Sequence, residues 1–474
     1  MKITSEDFGT QSSQALHDMQ LQGALALVSG RFTQQRRTVV SQTDGWEEIR
    51  RKAEQIKEHT LDHLPDYLEQ LEKQVQANGG TVYRAGDAAE ACRQVLEICR
   101  RHQVRQVVKG KSMVSEEIGL NHYLEETRLE VLETDLGEFI IQLAQEPPFH
   151  IIVPAIHKTR QQIARLFQEK LGVPYTEDIA ELTAIARRTL REKFLSAGLG
   201  ISGVNFAVAE TGGIVLVENE GNARLSTTAP RVHVALMGME KVVPRVADLG
   251  TFLTLLPRSA TGQRFSSYVS WIHGPRRDGD ADGPERFYLI ILDNGRSKIL
   301  ADREMRATLR CIRCGACLNH CPIYRHAGGY SYGWVYPGPI GSILTPQMVG
   351  LKKASPLPFA SSLCGACADV CPVRIDIPQI LLTLRHRIVR GNAKPLIPRV
   401  AEKAAMRGWR FATLHRRWRS LGIKAARPLQ AMIARKGWLS KGPFPLSCWT
   451  QTRDFPAIAP KTFQEWWSTR RPPR

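Results

Sequence analysis

Two short cysteine runs constrain this chain more than any other feature. Seven of the ten cysteines fall within residues 311–371, where the runs read C-I-R-C-G-A-C-L-N-H-C-P and S-S-L-C-G-A-C-A-D-V-C-P. The first residues carry no basic segment followed by an apolar one, so we expect a cytoplasmic chain, in which reducing conditions disfavour structural disulfides. Thiols clustered in this way in such a compartment indicate metal ligation. We therefore expect the fold to present both runs as metal-binding turns.

The spacing of the first run is typical of iron–sulfur proteins. C-x2-C-x2-C-x3-C-P places three thiolates around one cluster, while in two-cluster ferredoxins the fourth cysteine ligates the other cluster. Zinc is the alternative, but its sites pair C-x2-C knuckles and need no Cys-Pro three residues later. We interpret His320, beside Cys321, as a hydrogen-bonded or solvated side chain rather than a ligand. The first run thus predicts iron–sulfur clusters.

The second run repeats the first with one replacement. When the runs are aligned on their final Cys-Pro, Ser361 takes the place of the leading cysteine. Exchanging the fourth ligands then predicts one complete set and one set of three: Cys311, Cys314, Cys317 and Cys371 for cluster 1, and Cys321, Cys364 and Cys367 for cluster 2. The last iron of cluster 2 needs a serine oxygen, water or an external ligand, or is absent as in a [3Fe–4S] cluster.

The chain is too long for one ordinary core, and its patterning predicts four regions. These are a helical N-terminal region (1–75), an α/β domain (76–297), an α-helical ferredoxin-like domain with both cysteine runs (298–384) and a basic, tryptophan-rich helical region (385–474). Alternating short apolar runs and helical stretches in the second region indicate a mainly parallel sheet. The predicted strands include Thr81–Tyr83, Gln106–Val108, Glu130–Leu132, Phe149–Val153, Asn205–Ala209, Gly213–Glu218, Val232–Met237, Thr251–Leu255 and Phe287–Leu292.

The positive charge is concentrated at the C-terminal end. Residues 385–474 hold 21 of the 65 Lys and Arg residues but only three acidic ones, Glu402, Asp454 and Glu465, together with six of the nine tryptophans. Basic residues interleaved with aromatics suit nucleic acid or an anionic membrane surface. No DNA- or RNA-binding motif accompanies them, so we expect docking onto an acidic partner or the inner membrane face. No stretch approaches the ~18 apolar residues of a transmembrane helix.

Three polar or glycine-rich segments invite a ligand-binding interpretation. Gly198–Gly203 matches G-x-G-x-x-G, but it follows a helix and precedes a strand, the reverse of a dinucleotide-binding loop, so we expect an ordinary loop. Lys109–Ser112 follows a strand and precedes a helix, where it either holds an anion or forms a plain turn. Glu210–Arg224 either lines a cleft or forms a hairpin.

Taken with the cysteine runs, other segments make the chain resemble the lactate-utilization protein B family over nearly its whole length. They are V-K-G-K-S-M-V-S-E-E-I-G-L-N (Val108–Asn121), A-E-T-G-G-I-V-L (Ala209–Leu216), E-G-N-A-R (Glu220–Arg224) and Y-P-G-P-I-G (Tyr336–Gly341). The family's second cysteine motif has the same short form, so Ser361 departs from two-cluster ferredoxins but not from the family.

The resemblance implies an electron carrier in the oxidation of L-lactate to pyruvate. It implies two [4Fe–4S] clusters on the seven cysteines and a middle domain like the sugar isomerase and CoA-transferase-like fold. It also implies two sister subunits, one a cysteine-rich-domain protein and the other a smaller protein sharing the α/β domain. No complete nucleophile–base arrangement is visible, so we expect a non-catalytic component. The alternatives are a stand-alone oxidoreductase or an acyl- or phosphate-ligand enzyme using Lys111 and Glu210, and an iron–sulfur nucleic-acid-binding protein.

Overall fold

The computed structural model describes residues 3–391, 396–442, 447–450 and 453–470. It divides into two units, Met1–Ala393 and Lys394–Arg474, which are described separately below. None of the helices in the described ranges is long and apolar enough to cross a membrane.

Four helices open the first unit: α1 (Phe8–His17), α2 (Met19–Ser41), α3 (Trp46–Asp62) and α4 (Leu64–Ala77). The Asp18 carboxylate caps α2 by accepting from the Leu21 amide at 2.9 Å. The helical pattern that starts at Trp46 is divided at His63 into α3 and α4. Pro65 lies in the first turn of α4, where proline is tolerated, whereas in the interior of one continuous helix it would break the hydrogen bonding. A short 3-10 turn, Ser5–Asp7, precedes α1.

The α/β domain is built on a six-stranded sheet in which every pair of neighbours is parallel, as predicted. The strand order is β1-β10-β7-β4-β2-β3. Its strands are β1 (Thr81–Ala85), β2 (Gln106–Lys109), β3 (Glu130–Glu133), β4 (Leu199–Ser202), β7 (Val232–Gly238) and β10 (Arg286–Leu292). The central strands are apolar on both faces because helices cover both sides, the arrangement that parallel sheets require. The connecting helices are α5 (Ala88–Arg101), α6 (Met113–Glu117), α7 (Leu120–Glu125), α8 (Leu136–Leu143), α9 (Arg160–Leu171), α10 (Ile179–Ser196), α11 (Asn222–Thr228) and α12 (Val246–Ala260).

A smaller mixed sheet of four strands, in the order β8-β5-β6-β9, belongs to the same domain. It comprises β5 (Phe206–Val208), β6 (Gly213–Glu218), β8 (Val242–Val243) and β9 (Tyr268–Ile272), with a 3-10 turn, Met239–Lys241, before β8. Strands β5 and β6 form an antiparallel hairpin. Of the two alternatives for Glu210–Arg224, the hairpin is therefore present, with its turn between β5 and β6. The later part of the segment, from Leu216 to Ala223, contributes lining residues to the cavity described below.

Three local predictions are wrong. Thr251–Leu255 lies inside α12, because the buried Leu249, Phe252 and Leu256 recur at helical spacing. Phe149–Val153 is irregular: it is buried against the first cysteine run, not paired in a sheet. The expected loop at Gly198–Gly203 is largely strand β4. A Cβ at Gly200 would lie 1.6 Å from the Ser226 carbonyl oxygen, so the glycine permits α11 to pack closely on β4.

The cysteine region consists of short helices rather than sheet. They are α13 (Arg296–Ala301), α14 (Ala316–His320), α15 (Tyr324–Ala327), α16 (Gly338–Val349), α17 (Ala366–Asp369) and α18 (Ile377–Arg390), with 3-10 turns at Arg306–Arg310, Tyr330–Tyr332 and Leu357–Phe359. The stretch 298–310, which its sequence predicts to be one helix leading into the first cysteine run, consists of two elements, the end of α13 and the 3-10 turn Arg306–Arg310. Apolar residues of this region, of the N-terminal helices and of the small sheet share one hydrophobic core.

The second unit contains α19 (Leu396–Leu414), α20 (Arg416–Ala431), α21 (Ser447–Thr450) and α22 (Phe463–Ser468). Two short strands, β11 (Trp438–Leu439) and β12 (Phe455–Pro456), pair in antiparallel fashion. Large apolar side chains remain exposed along the two long helices, among them Trp409 at 65% and Trp418 at 62%.

Candidate iron–sulfur site and adjoining cavity

The two cysteine runs adopt the same backbone conformation. Gly315 and Gly365, at matching positions, have φ angles of +71° and +87° and begin α14 and α17. One residue before the second cysteine position of each run, Arg313 and Leu363 also lie in the left-handed region, at φ +60° and +56°. Non-glycine residues adopt this region rarely, so its occurrence at both positions shows that the repeat is structural as well as sequential.

Ser361 follows this repeat in its hydrogen bonding. The Cys311 Sγ accepts from the Arg313 amide at 3.4 Å, and the Ser361 Oγ accepts from the Leu363 amide at 3.1 Å. The serine oxygen therefore has the same local position in its own run that the Cys311 sulfur has in the first run.

The seven cysteines form no disulfides and differ in exposure. Cys314, Cys321, Cys367 and Cys371 are buried, whereas Cys364 is exposed. Burial, with a smaller contribution from the Cys311 and Cys371 thiolates, raises the pKa of Cys314 to about 12. Burial and then Cys321 raise the pKa of Cys367 to about 12. Thiols with such raised pKa values stay protonated near neutral pH unless a metal takes the place of the proton.

The electrostatic influence among the cysteines crosses between the runs. Burial and, more weakly, Cys311 raise the pKa of Cys371. Burial and, more weakly, Cys364 raise the pKa of Cys321. Cys317 is influenced chiefly by Cys314 and Cys311 after burial, and more weakly by Cys367 and Cys371. The last cysteine of each run therefore lies near cysteines of the other run.

The cysteine sulfurs are spaced too widely for zinc. Tetrahedral thiolates at the usual Zn–S distance of about 2.3 Å lie about 3.8 Å apart. In the described part of the chain, the group of three or more metal-binding side chains with ligand atoms within 4.8 Å of one another is Glu116, Glu133 and Glu138, and it contains no cysteine. Thiol donors at wider spacing fit a larger inorganic group.

Arginines from the N-terminal helices reach the second run. From α2, Arg36 Nη2 donates to the Val370 carbonyl at 3.0 Å, and from α3, Arg50 Nη2 donates to the Cys371 carbonyl at 2.8 Å. His320 Nδ1 donates to the Ala316 carbonyl at 2.9 Å, as expected for a hydrogen-bonded histidine. Both arginines bring positive charge close to thiols that a cluster would hold as thiolates.

A cavity of about 270 Å³ opens beside the first run, at the carboxyl edge of the parallel sheet. Parallel α/β sheets bind their ligands at this edge. The cavity brings together Lys111 and Ser112 after β2 and the end of β4 with Gly203. From the end of β6 and the loop after it come Glu218, Asn219, Glu220, Asn222 and Ala223. Asp135, Lys241, Arg313 and Tyr336 line it as well. Glu210 is not among its lining residues. It accepts from the Val246 amide at 2.8 Å instead.

The cavity residues that sequence reasoning missed are Lys241, Arg313 and Tyr336. Lys241 closes the 3-10 turn after β7, and burial followed by Arg313 lowers its pKa to about 8. Burial and the neighbouring Asp135 raise the pKa of Glu220 to about 7 on another wall. For Lys241, the available signal was a charged residue soon after the apolar run that forms β7; no such signal precedes Arg313 or Tyr336.

A buried ion-pair network connects this cavity with the α/β core. Arg296 donates to Glu117 at 2.8 Å and to Glu240 at 2.6 Å, and Arg313 donates to Glu240 at 3.3 Å. The Tyr336 hydroxyl donates to Glu117 at 2.6 Å. Although burial opposes it, Arg296 followed by Arg313 lowers the pKa of Glu240 to about 2. The network therefore fixes Arg313, a residue of the first cysteine run, to the α/β domain.

Lys109 belongs to a separate buried cluster. Its ammonium lies 2.6 Å from Glu133 and 3.1 Å from Glu116, and it donates to Ser115 at 2.8 Å. These carboxylates hold the lysine, so within Lys109–Ser112 the residues that face the cavity are Gly110, Lys111 and Ser112.

Comparisons with known proteins match three successive stretches of the chain. Residues 68–292 match the LUD domain, residues 307–375 the 4Fe-4S dicluster domain, and residues 384–471 the C-terminal domain of lactate utilisation protein B. An uncharacterized electron transport protein of Escherichia coli K12, YkgF, is 45% identical over 98% of this chain and 97% of its own length. Lactate utilization protein B of Shouchella clausii is 45% identical over 99% of this chain and 98% of its own.

A further relative, lactate utilization protein B of Bacillus cereus B4264, is 44% identical over 98% of both chains. Among solved structures, a DUF162 family protein from Deinococcus radiodurans aligns with a TM-score of 0.28 at 14% identity, covering 48% of this chain and 98% of that one.

Proposed function

Because the chain belongs to the lactate utilization protein B family, we propose that it is an iron–sulfur electron-transfer subunit in the oxidation of L-lactate to pyruvate, which allows growth on lactate. The observation that carries this proposal is the doubled cysteine turn, with seven thiols that form no disulfides and lie in a 4Fe-4S dicluster domain. An iron–sulfur cluster supplies one-electron transfer, and the protein tunes its potential by charge, burial and hydrogen bonds to sulfur.

We assign Cys311, Cys314, Cys317 and Cys371 to cluster 1, and Cys321, Cys364 and Cys367 to cluster 2. The electrostatic proximity of Cys371 to the first run, and of Cys321 to Cys364, supports this exchange. For the last iron of cluster 2 we favour the Ser361 oxygen, because its hydrogen bond repeats that of Cys311. A [3Fe–4S] cluster is the alternative.

The finer fold assignment is also a proposal. We place residues 76–297 in the sugar isomerase and CoA-transferase-like fold, a choice supported by the six-stranded parallel sheet and its order. Residues 298–384 form a helical ferredoxin-like domain, supported by the short helices that flank each cysteine turn. Residues 1–75 and 385–474 complete the four-region division.

Two sister lactate-utilization subunits, a cysteine-rich-domain protein and a smaller α/β-domain protein, are the proposed partners in the cytoplasm. The basic C-terminal region is the proposed docking surface for an acidic partner or the inner membrane face. Its support is a face of α19 that combines Lys403, Arg407 and Arg410 with the exposed Met406 and Trp409.

Anaerobically purified protein tests the central proposal through its metal content. We expect a brown protein with roughly eight irons per chain, or about seven if cluster 2 lacks one. It should be reduced by lactate only when both sister subunits are added. A colourless, iron-free protein that still supports lactate oxidation would refute the proposal.

The cavity supports one second candidate, an oxidoreductase or acid-binding enzyme in its own right, because charged side chains converge there beside the first cysteine run. Lactate oxidation by the isolated chain with an artificial acceptor would favour it. For the nucleic-acid alternative, steeply salt-dependent DNA binding would be the signature.

A further inference from the structure

Lys241 is a buried cation that faces the cavity and has no hydrogen-bond or ion-pair partner among the described residues. The residue is only 7% exposed, and it lines the cavity beside Arg313 and Tyr336. Throughout residues 3–391, no hydrogen bond or ion pair joins its ammonium to another group. The adjacent Glu240 is already held by Arg296 at 2.6 Å and by Arg313 at 3.3 Å. Burying an unpaired charge is costly, and buried charges normally have a partner.

Two other cations, Lys111 and Arg313, line the cavity with Lys241. Lys111 donates to the Ile152 carbonyl at 2.6 Å, a neutral acceptor rather than a carboxylate. Arg313 shares Glu240 with Arg296 and lies over the Tyr336 ring at 4.9 Å. An anion entering the cavity therefore meets one unpaired ammonium and two incompletely neutralised cations.

The rest of the lining limits the charge of that anion. Asp135, Glu218 and Glu220 lie in the same cavity and repel a multiply charged molecule. The amides Asn205 and Asn222 offer neutral hydrogen bonds. A volume of about 270 Å³ suits a small metabolite, below the range of about 300–1,000 Å³ that holds drug-sized ligands.

We propose that the cavity binds a small organic monocarboxylate, with the carboxylate on the Lys241 ammonium and the remainder toward the acidic and amide wall. The bound monocarboxylate would lie next to Arg313. In the sequence, Arg313 stands between Cys311 and Cys314, which are both assigned to the proposed cluster 1. The proposal rests on the cavity and not on the electron-carrier function, since a pure carrier needs no such site.

Isothermal titration of the holoprotein with acetate, L-lactate and pyruvate, and with the dianions malonate and phosphate, tests the proposal. We expect saturable binding of at least one monocarboxylate and at least tenfold weaker binding of the dianions. Lys241→Met should weaken monocarboxylate binding at least tenfold while iron content and the visible spectrum stay unchanged. Lys298→Met, the same change at an exposed lysine outside the cavity, should bind as the wild type does.

The Asp135→Asn variant provides a second test, which remains valid even if Lys241→Met does not fold. Asn can still cap α8 as Asp135 does, so the fold should persist. Removing this negative charge should strengthen malonate binding relative to acetate.

Absence of saturable monocarboxylate binding to the wild type overturns the proposal, as does wild-type affinity in a folded Lys241→Met variant. Tighter phosphate than carboxylate binding would replace it with a phosphate site. If Lys241→Met shifts only the cluster potential, the lysine serves the cluster charge and the proposal fails.

Discussion

Arg50 and Cys371 are joined across 321 positions of sequence: the Arg50 Nε and Nη2 donate to the Cys371 carbonyl oxygen at 3.0 and 2.8 Å. Arg50 also pairs with Glu47 at 2.7 Å and is buried. The N-terminal helices are therefore part of the cysteine site, although no residue in them is a candidate ligand.

Arg50→Gln should make the reduction potential of cluster 1 more negative. Reduction adds negative charge, and the variant removes a nearby positive one. For a one-electron couple a tenfold effect corresponds to about 59 mV, and we expect a shift of that order in an EPR-monitored redox titration. Arg50→Lys should shift less, and Arg51→Gln, on the exposed side of α3, should not shift. Equal shifts in Arg50→Gln and Arg51→Gln would contradict a local effect.

Cys371→Ala should abolish the EPR signal of cluster 1 and leave that of cluster 2, and Cys321→Ala should do the reverse. The reason is the proposed exchange of fourth ligands between the runs. Iron analysis of each variant should show that about half of the iron remains. If Cys371→Ala instead keeps the complete cluster and loses the three-cysteine one, the runs do not exchange ligands.

Ser361→Cys should complete the thiolate set of cluster 2. The serine oxygen already accepts the hydrogen bond that corresponds to the one at Cys311, so a sulfur there should reach the same corner. We expect altered cluster 2 EPR parameters and, if the native cluster has three irons, a gain of about one iron per chain. Ser362→Cys, at the exposed neighbouring position, is the matched control and should change neither quantity. An unchanged spectrum in a folded Ser361→Cys variant would remove Ser361 from the site.

Arg296→Met should destabilise the α/β domain strongly. It leaves Glu117 and Glu240 buried without their main cation, and breaking a buried ion pair costs about 3–5 kcal/mol. The free energy of unfolding from denaturant titration, followed by circular dichroism, measures the loss. Arg303→Met, an exposed arginine beyond α13, should stay within about 0.5 kcal/mol of the wild type. A comparable loss in both variants would show that the network contributes little.

Stability should fall as the pH drops below about 6.5, partly because of His233. This histidine is fully buried, and its Nε2 forms a hydrogen bond with the Ser202 Oγ at 2.8 Å. Burial lowers its pKa to about 3. Between the two pKa values only the unfolded chain takes up the proton, so acid favours unfolding. From pH 7.5 to 5.5 this one group should cost about 1.4 kcal/mol.

The His233→Gln variant should lose that share of the pH dependence in denaturant titrations at the two pH values. His17→Gln removes an exposed histidine and should retain the wild-type dependence. An identical pH dependence in all three proteins would show that His233 does not contribute.

The sequence predicts features that depend on local spacing. The parallel sheet and the doubled cysteine turn are of this kind. The alternation of apolar runs with helical stretches indicates the sheet, and the repeated C-G-A-C segment indicates the turn. Thr251–Leu255 was mistaken for a strand because its residues favour β-structure locally, whereas burial of Leu249, Phe252 and Leu256 on one face makes it helical. Tertiary packing overrides propensity there.

Features that depend on contacts between distant segments were not predictable. Phe149–Val153 is buried by the first cysteine run, which approaches so closely that a Cβ at Gly315 would lie 3.0 Å from Ile152. Lys241 gains its significance only because Arg313 and Tyr336 come to the same cavity from the other domain. The position of Lys241 after an apolar run hints at the edge of the sheet, but nothing in the sequence around Arg313 or Tyr336 indicates that they contact the same cavity.

The contacts of Arg36 and Arg50 also set an order for the making of the protein. Both arginines leave the ribosome more than 300 residues before Val370 and Cys371, their partners, have been joined to the chain. Until then the N-terminal helices have no cysteine turn to pack on. The full set of cysteines is therefore present only after more than 300 further residues have been joined, so loading of iron and sulfide follows synthesis of the N-terminal helices.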